Sequence, residues 1–343
     1  GHRLTLFNRG RRPKEWPGEV EELSGDRNTG DLEALKGREW DVCIDNPTTL
    51  PYWVRDAGQV LAGKVGQYVF ISTVSVYAKE NEPGADESAA TAEYKGADAM
   101  KESMDAVRAS NFELYGPLKA TSEREAEKWF PGATTVIRPG LIVGPGDETD
   151  RFTYWPVRLE RGGEVLAPGD GSDPVQVIDA RDLAPGAGDR RPRPRGVDGA
   201  DGRVPHPGDV QRGRPGARAH HGRPALRVAR SDHLRSAHHL GSRSLPGGAE
   251  GGALERHAGL GKVAPWSDMP VWVPAAGDTL GFGRRSNARA LAAGLTYRPL
   301  ARTTLDTLDW FHALPAERRG QLRAGIAAAR EAEVLAAWRA KKS

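Results

Sequence analysis

Gln67-Tyr68-Val69-Phe70-Ile71-Ser72-Thr73-Val74-Ser75-Val76-Tyr77 decides the fold. Its first seven residues are β-branched or aromatic enough to predict a buried strand over 67–73, with hydroxyl side chains at the carboxyl end. In an open parallel sheet that end borders the crevice where ligands bind. Downstream lies Tyr115-Gly116-Pro117-Leu118-Lys119. Residues four apart share a helix face, so the Lys119 ammonium is expected one turn from the Tyr115 phenol, lowering a pKa that is about 10 when unperturbed. Such a tyrosine can give or take a proton while a hydride moves to or from a nicotinamide ring. The spacing alone also fits an ordinary solvated helix face, so the surrounding chain has to decide.

Working outward, the pattern alternates regularly. The opening residues 1–10 alternate apolar and polar side chains, end in turn formers and read as a strand; a short helix headed by Asp31 is expected over 31–36, a buried strand over 40–45 and a helix over 51–61. The helix carrying Tyr115 and Lys119 is expected to run to Trp129 and stop at Pro131-Gly132, with Pro117 tolerated because it falls in the first turn or two. Further strands are expected over 134–138, near Val165 and over 175–178, with a helix over 151–161. Strands alternating with helices imply βαβ units and a parallel sheet flanked by helices. Near the carboxyl end a helix is expected over 303–312, and a single long Ala- and charge-rich helix over 318–340, facing solvent or a partner.

Composition bounds the function only loosely. The 343 residues can bury a sizeable core in one large or two moderate domains. A formal net charge of +3 calls for neither a nucleic acid nor a membrane surface. The one cysteine, Cys43, excludes an internal disulfide framework, fits a cytoplasmic setting and reads as a small core residue. No stretch reaches the roughly 20 apolar residues of a membrane span, and no signal peptide is visible.

The strand 68–71 running into Ser72–Tyr77, the Tyr115–Lys119 run, Arg138-Pro139-Gly140 leading to Gly144-Pro145-Gly146, Val177-Ile178-Asp179-Ala180-Arg181-Asp182, and Gly294-Leu295-Thr296-Tyr297-Arg298-Pro299-Leu300 occur in a fixed order. Together they resemble the extended short-chain dehydrogenase/reductases of the NAD-dependent epimerase/dehydratase family. The resemblance implies a Rossmann-type doubly wound α/β sheet with a smaller C-terminal substrate subdomain. It also implies a small carbonyl or alcohol substrate such as a sugar nucleotide, NADP or NAD as cofactor, no metal, and a chain compatible with a homodimer. Tyr115 would be the general acid/base, Lys119 would bind the nicotinamide ribose, and Thr73 would hydrogen-bond the reacting oxygen, with Ser72 and Ser75 as weaker candidates. Asn8 and Arg9 would lie where the second strand ends; Arg9, with Arg11 and Arg12 nearby, leans toward the 2′-phosphate of NADP, against a plain solvated basic loop. Asp26, with Arg27 beside it, would face the adenine, and Asn46 would approach the cofactor from below. Some relatives of this fold resemble RNA-binding or regulatory proteins, which makes a non-catalytic binding protein the alternative.

Two departures qualify the resemblance. No G-x-G-x-x-G follows a strand and opens a helix, and the sequence starts on what reads as a second strand. The expectation is a sheet lacking its first strand and glycine loop, roughly 25 to 30 residues of a half βαβ unit, and poor NADP(H) binding by the 343-residue chain. Nicotinamide-fluorescence titration showing micromolar affinity would contradict it. The second departure is 185–262, which divides the chain into an incomplete Rossmann domain over 1–184 and a C-terminal remnant over 263–343. Between Leu183 and Pro265 there is no Phe, Tyr, Trp, Ile, Met, Thr or Asn, while seven of the nine histidines fall between His206 and His257. That composition cannot supply a periodic apolar face, so the segment is expected to be disordered or read out of frame. Translating the coding DNA in all three frames would test this. Histidine-bound metal lacks a consistent ligand spacing here, and an Arg-rich nucleic-acid insert lacks aromatic residues for stacking.

Overall fold

The computed structural model describes residues 2–11, 16, 18–46, 48–169, 171–188, 227–231 and 263–340. The segment expected to be disordered or out of frame therefore lies almost wholly outside the described residues, as does Arg12. The chain forms an α/β fold of parallel strands with flanking helices. Strands β1 (Leu4–Asn8) and β2 (Val20–Ser24) pair in parallel, Leu4 opposite Val20 and Asn8 opposite Ser24. Strand β3 (Trp40–Asp45) then leads into helix α1 (Pro51–Leu61) and strand β4 (Val65–Ile71). The short helix α2 (Met104–Ala109) and helix α3 (Tyr115–Trp129) precede strand β5 (Thr134–Ile137). Strands β3, β4 and β5 form a parallel sheet in that order, with β4 central. Among the described residues β1–β2 is a separate two-stranded sheet.

Side chains join the two pieces. Val54, Ala57 and Leu61 of α1 recur at helical spacing and pack with Tyr68, Phe70, Ala126 and Phe130, while Phe7 and Leu23 reach the same cluster from β1 and β2. Tyr68 and Phe130 stack at 4.1 Å between ring centroids. Fully burying a side chain such as Phe70 stabilises by about 1.5–3 kcal/mol, so this cluster anchors the sheet. Helices α1 and α3 can approach closely because Gly58 has no side chain; a Cβ there would lie 2.2 Å from the Trp129 ring.

Past β5 come strand β6 (Leu141–Val143), helix α4 (Tyr154–Glu160), strand β7 (Gly163–Ala167), strand β8 (Val177–Asp179) and helix α5 (Ala180–Gly188). β6 pairs in parallel with β8, and β7 pairs antiparallel with β9 (Arg227–Ser231). The last helices are α6 (Ala288–Ala292), α7 (Leu300–Ala313), α8 (Ala316–Gly320) and α9 (Ala328–Ala340). Tyr154 and Leu166 share a core with Met269, Ile326, Val334 and Leu335, so residues 154–167 pack with the C-terminal part across the boundary drawn at 184.

Two sequence expectations fail here. Residues 33–35 form only a 3-10 turn, and Asp31 bridges Asp26 instead of capping a helix; a span that short has too few backbone bonds to propagate. The single helix expected over 318–340 is two, α8 and α9, separated at Gln321–Ala327 where Gly325 takes a φ of +93°. Nor is α9 a solvent-facing rod. It buries Val334 and Leu335, and its buried Glu331 accepts hydrogen bonds from Arg158 Nε at 2.7 Å and Leu166 N at 3.0 Å.

Candidate functional site

The proposed residues gather at the carboxyl ends of the parallel strands. Strand β4 ends at Ile71, and Ser72 and Thr73 continue into a 3-10 turn over Val74–Val76, where the Thr73 hydroxyl accepts from Ser75 N at 3.2 Å. Helix α3 begins with Tyr115 beside this turn. The approach depends on Gly116, because a Cβ there would lie 2.1 Å from the Ser75 carbonyl oxygen. Pro117 sits in the first turn of α3, where its missing N–H costs nothing.

Burial raises the pKa of the Tyr115 phenol; the nearby Thr73 hydroxyl and the Arg151 guanidinium act the other way without overcoming it. The phenol is therefore neutral at physiological pH. Arg151 is held by Thr149 Oγ1 at 3.1 Å and lies 5.3 Å from the Trp266 ring centroid.

The hydrogen bonds of Lys119 go to the strand end. Its ammonium is buried, 3% exposed, and donates to Thr48 Oγ1 and to the Ile71 carbonyl at 2.6 Å. A strand-end carbonyl and a buried hydroxyl capture a charge that would otherwise lie unsolvated beneath the helix. Burial pushes its pKa down to about 8; Asp45 and Glu123 oppose that shift, and Arg27 adds to it.

Asp45 ends β3 and is itself buried. It accepts from Arg27 at 2.5 and 2.9 Å in a bidentate pair and from the Tyr68 hydroxyl. Arg27 also donates to the Trp53 carbonyl at 2.8 Å. Burial works against the Arg27 charge, but Asp45 outweighs it and holds the guanidinium pKa above its ordinary value. The same environment, burial first and Asp45 second, drives the Tyr68 phenol well up. Arg27, read as a cofactor contact, is thus committed to tying the turn after β2 to the end of β3.

Asn8 ends β1, its side chain accepting from Gly10 N at 2.6 Å and its carbonyl from Gly25 N at 3.1 Å. Arg9 lies 4.0 Å from Asp26, half exposed. Asp26 is held below the ordinary carboxylate range by hydrogen bonds from Asn28, with Arg9 and Arg11 contributing. Asn46 is exposed just past β3, and its carbonyl accepts from Thr48 N at 2.9 Å. These positions form a row from the β1 end to the β4 end, with Asp45 and Thr48 in its middle. Sequence reasoning missed both. An acid closing an otherwise apolar strand was the available signal for Asp45, because a buried carboxylate requires a cationic partner.

Behind the site, Glu123 of α3 accepts from Ser72 and, bidentate, from Arg138 at 2.9 and 2.7 Å. The Tyr77 ring lies between Arg138 and Arg285, 5.0 and 4.0 Å from its centroid. Ser72, a weaker candidate hydroxyl, is thereby a structural donor. Cys43 is partly buried, and burial drives its thiol up to about 12, so it is unreactive. A cavity of about 730 Å³ runs along β5 and is lined by Arg138, Asp179, Arg285 and Arg298. Tyr115, Lys119 and Thr73 do not line it. No His/Cys/Asp/Glu group among the described residues could hold a metal ion, and no described helix is long and apolar enough to cross a membrane.

No protein-family model matches the chain, and no curated protein matches it. Among solved structures it is similar to MoeE5 in complex with UDP-glucuronic acid and NAD, at 16% identity over 91% of each chain with a TM-score of 0.46. It is similar also to UDP-glucuronic acid 4-epimerase from Bacillus cereus in complex with NAD, at 17% identity, 49% of this chain, 54% of that chain and a TM-score of 0.35. For vestitone reductase from alfalfa (Medicago sativa) the values are 15%, 54%, 64% and 0.37. The chain therefore spans little more than half the length of the Bacillus cereus enzyme. Fold and site together define an α/β protein with a Tyr-x-x-x-Lys helix at the carboxyl ends of parallel strands.

Proposed function

We propose that the chain is a member of the NAD-dependent epimerase/dehydratase family, an oxidoreductase-type enzyme for a small carbonyl or alcohol substrate such as a sugar nucleotide. The observation that carries this reading is the placement of Tyr115, at the start of α3, within electrostatic reach of Thr73 just past the end of β4, with the Lys119 ammonium buried beside the same strand end. Among the described residues no glycine-rich loop offers a phosphate cradle, so the fit to a nicotinamide dinucleotide rests on the nicotinamide end of the row. The cofactor, when bound, supplies or accepts the hydride.

Tyr115 would deliver its phenolic proton to the substrate oxygen, or take one from it, while Thr73 orients that oxygen by a second hydrogen bond. The Arg151 guanidinium favours the phenolate, while Lys119 holds a buried positive charge at the strand end. Lys119 would meet the nicotinamide ribose. Asn8, Arg9, Asp26 and Asn46 would lie along the adenosine half, with Arg27 acting through Asp45. Arg9 is the residue that would admit a 2′-phosphate, although it stands within ion-pairing distance of Asp26, which favours NAD.

The test is a hydride-transfer assay at 340 nm with NAD and NADP against UDP-glucose, UDP-glucuronic acid and dTDP-sugar substrates, run on the wild-type chain and on Tyr115→Phe. Loss of roughly 10²–10⁴-fold in turnover with the fold retained is expected. Turnover unchanged in Tyr115→Phe would refute the reading.

A further inference from the structure

We propose that Thr48 is a positioning residue for Lys119: its hydroxyl fixes the ammonium against the Ile71 carbonyl at the end of β4, and so determines where the site's buried charge sits relative to Thr73 and Tyr115. The inference rests on the reading of Tyr115 and Lys119 as the working pair. It is carried by a triangle of hydrogen bonds. Lys119 Nζ donates both to Thr48 Oγ1 and to Ile71 O, and Thr48 Oγ1 lies 2.6 Å from the same Ile71 O. A threonine hydroxyl has one proton. Here that proton goes to Ile71 O, since the other carbonyl in reach, that of Asn46, is at 3.5 Å. Thr48 can therefore face Lys119 only as an acceptor, an orientation that favours the charged ammonium over the neutral amine.

Burial makes the arrangement matter. Thr48 is 0% exposed and Lys119 3%. Neither carboxylate near the lysine, Asp45 or Glu123, is hydrogen-bonded to it among the described residues; Asp45 is taken by Arg27 and Tyr68, Glu123 by Ser72 and Arg138. The remaining neighbour is the Phe70 ring, 5.3 Å away at its centroid. Direct hydrogen bonding to the ammonium therefore comes from Thr48 and one backbone carbonyl. Removing the hydroxyl takes away one of two acceptors from a charge that water does not reach. Thr48 also has backbone reason to be where it is, because its N–H closes a turn on the Asn46 carbonyl at 2.9 Å and so carries the hydroxyl back over the strand end.

The experiment follows the titration of Lys119 by NMR in the full 343-residue chain labelled at lysine Cε, with Lys119→Arg to assign the signal. In the wild-type chain, with burial pushing the ammonium pKa down, the midpoint is expected at about 8. Thr48→Val is expected to lower it by about one pH unit, the loss of one hydrogen bond to a charged group, and Thr48→Ser to restore it. A residue that served only to fill space would change stability in the valine variant without moving the lysine midpoint, and an unchanged midpoint overturns the proposal. If the valine variant does not fold, Thr48→Ala is read in the same way. A further measurement needs no variant: at neutral pH the Lys119 ammonium protons of the wild-type chain should exchange slowly enough for a resolved nitrogen-correlated signal, and their averaging with solvent overturns the proposal. Neither readout needs turnover. An inactive chain whose Lys119 midpoint depends on Thr48 would sink the enzymatic reading and leave the positioning role standing, whereas an active chain with a Thr48-independent midpoint would do the reverse.

Discussion

Replacing Arg27 by methionine removes a guanidinium that makes two bonds to Asp45 and one to the Trp53 carbonyl, while keeping much of the apolar length that packs over the Trp53 ring. Asp45 is 7% exposed and would keep only the Tyr68 hydroxyl as a direct partner among the hydrogen bonds described above. Breaking a buried pair from one side typically costs about 3–5 kcal/mol, because the surviving charge is left without solvent or counter-charge. Asp45→Asn breaks the same pair from the other side, and its amide oxygen can still accept from Tyr68. Each single variant should therefore lose about 3 kcal/mol or more in urea unfolding followed by circular dichroism. The double variant, holding neither charge, should be destabilised by at least about 2 kcal/mol less than the sum of the singles. If Arg27 served only a ligand, Arg27→Met would be as stable as wild type in the absence of nucleotide. A loss below about 1 kcal/mol, or additivity of the two singles, would refute the assignment of Arg27 as a tie between the turn after β2 and the end of β3.

Gly116→Ala forces a Cβ to 2.1 Å from the Ser75 carbonyl oxygen, so α3 must retreat from the 3-10 turn; about 1–3 kcal/mol of stability is expected to be lost together with the influence of Thr73 on the phenol, seen as a shift of the Tyr115 ultraviolet titration. Asp179 accepts from Arg181 and Thr303, and although burial opposes them these bonds hold its pKa at about 2 against an ordinary 3.8. Its contribution is thus complete above about pH 4 and disappears as pH falls toward 2, so the melting-temperature gap between wild type and Asp179→Asn should close over that interval. A gap constant down to pH 2 would contradict it.

The sequence revealed the sheet more fully than the site. Pro51–Leu61 and the end of Tyr115–Trp129 were readable because a proline starts the one and the Pro131-Gly132 stop follows the other. Residues 33–35 were overestimated because one turn with an acidic start resembles a longer helix locally. The α8–α9 break was hidden by strong helix formers on both sides of Gly325. At the site, the placement of Tyr115 and Thr73 near one strand end follows from their backbone setting. The partners of Lys119 were not legible, because spacing fixes the helix face and says nothing of the acceptors a long, flexible side chain will choose, here one from the loop after β3 and one from β4. Those acceptors come from segments distant in sequence, so periodicity could not register them.

The interruption between β1–β2 and β3–β4–β5 bears on cooperativity. A continuous ladder transmits an opening from strand to strand, but among the described residues the connection is made by side chains, including the packing of Phe7 and Leu23 and the Arg27–Asp45 and Arg38–Glu21 pairs. The amides of residues 4–8 and 20–24 should therefore exchange with solvent through a local opening that leaves Tyr68–Ile71 protected, making the first two strands a separate energetic unit of the molecule.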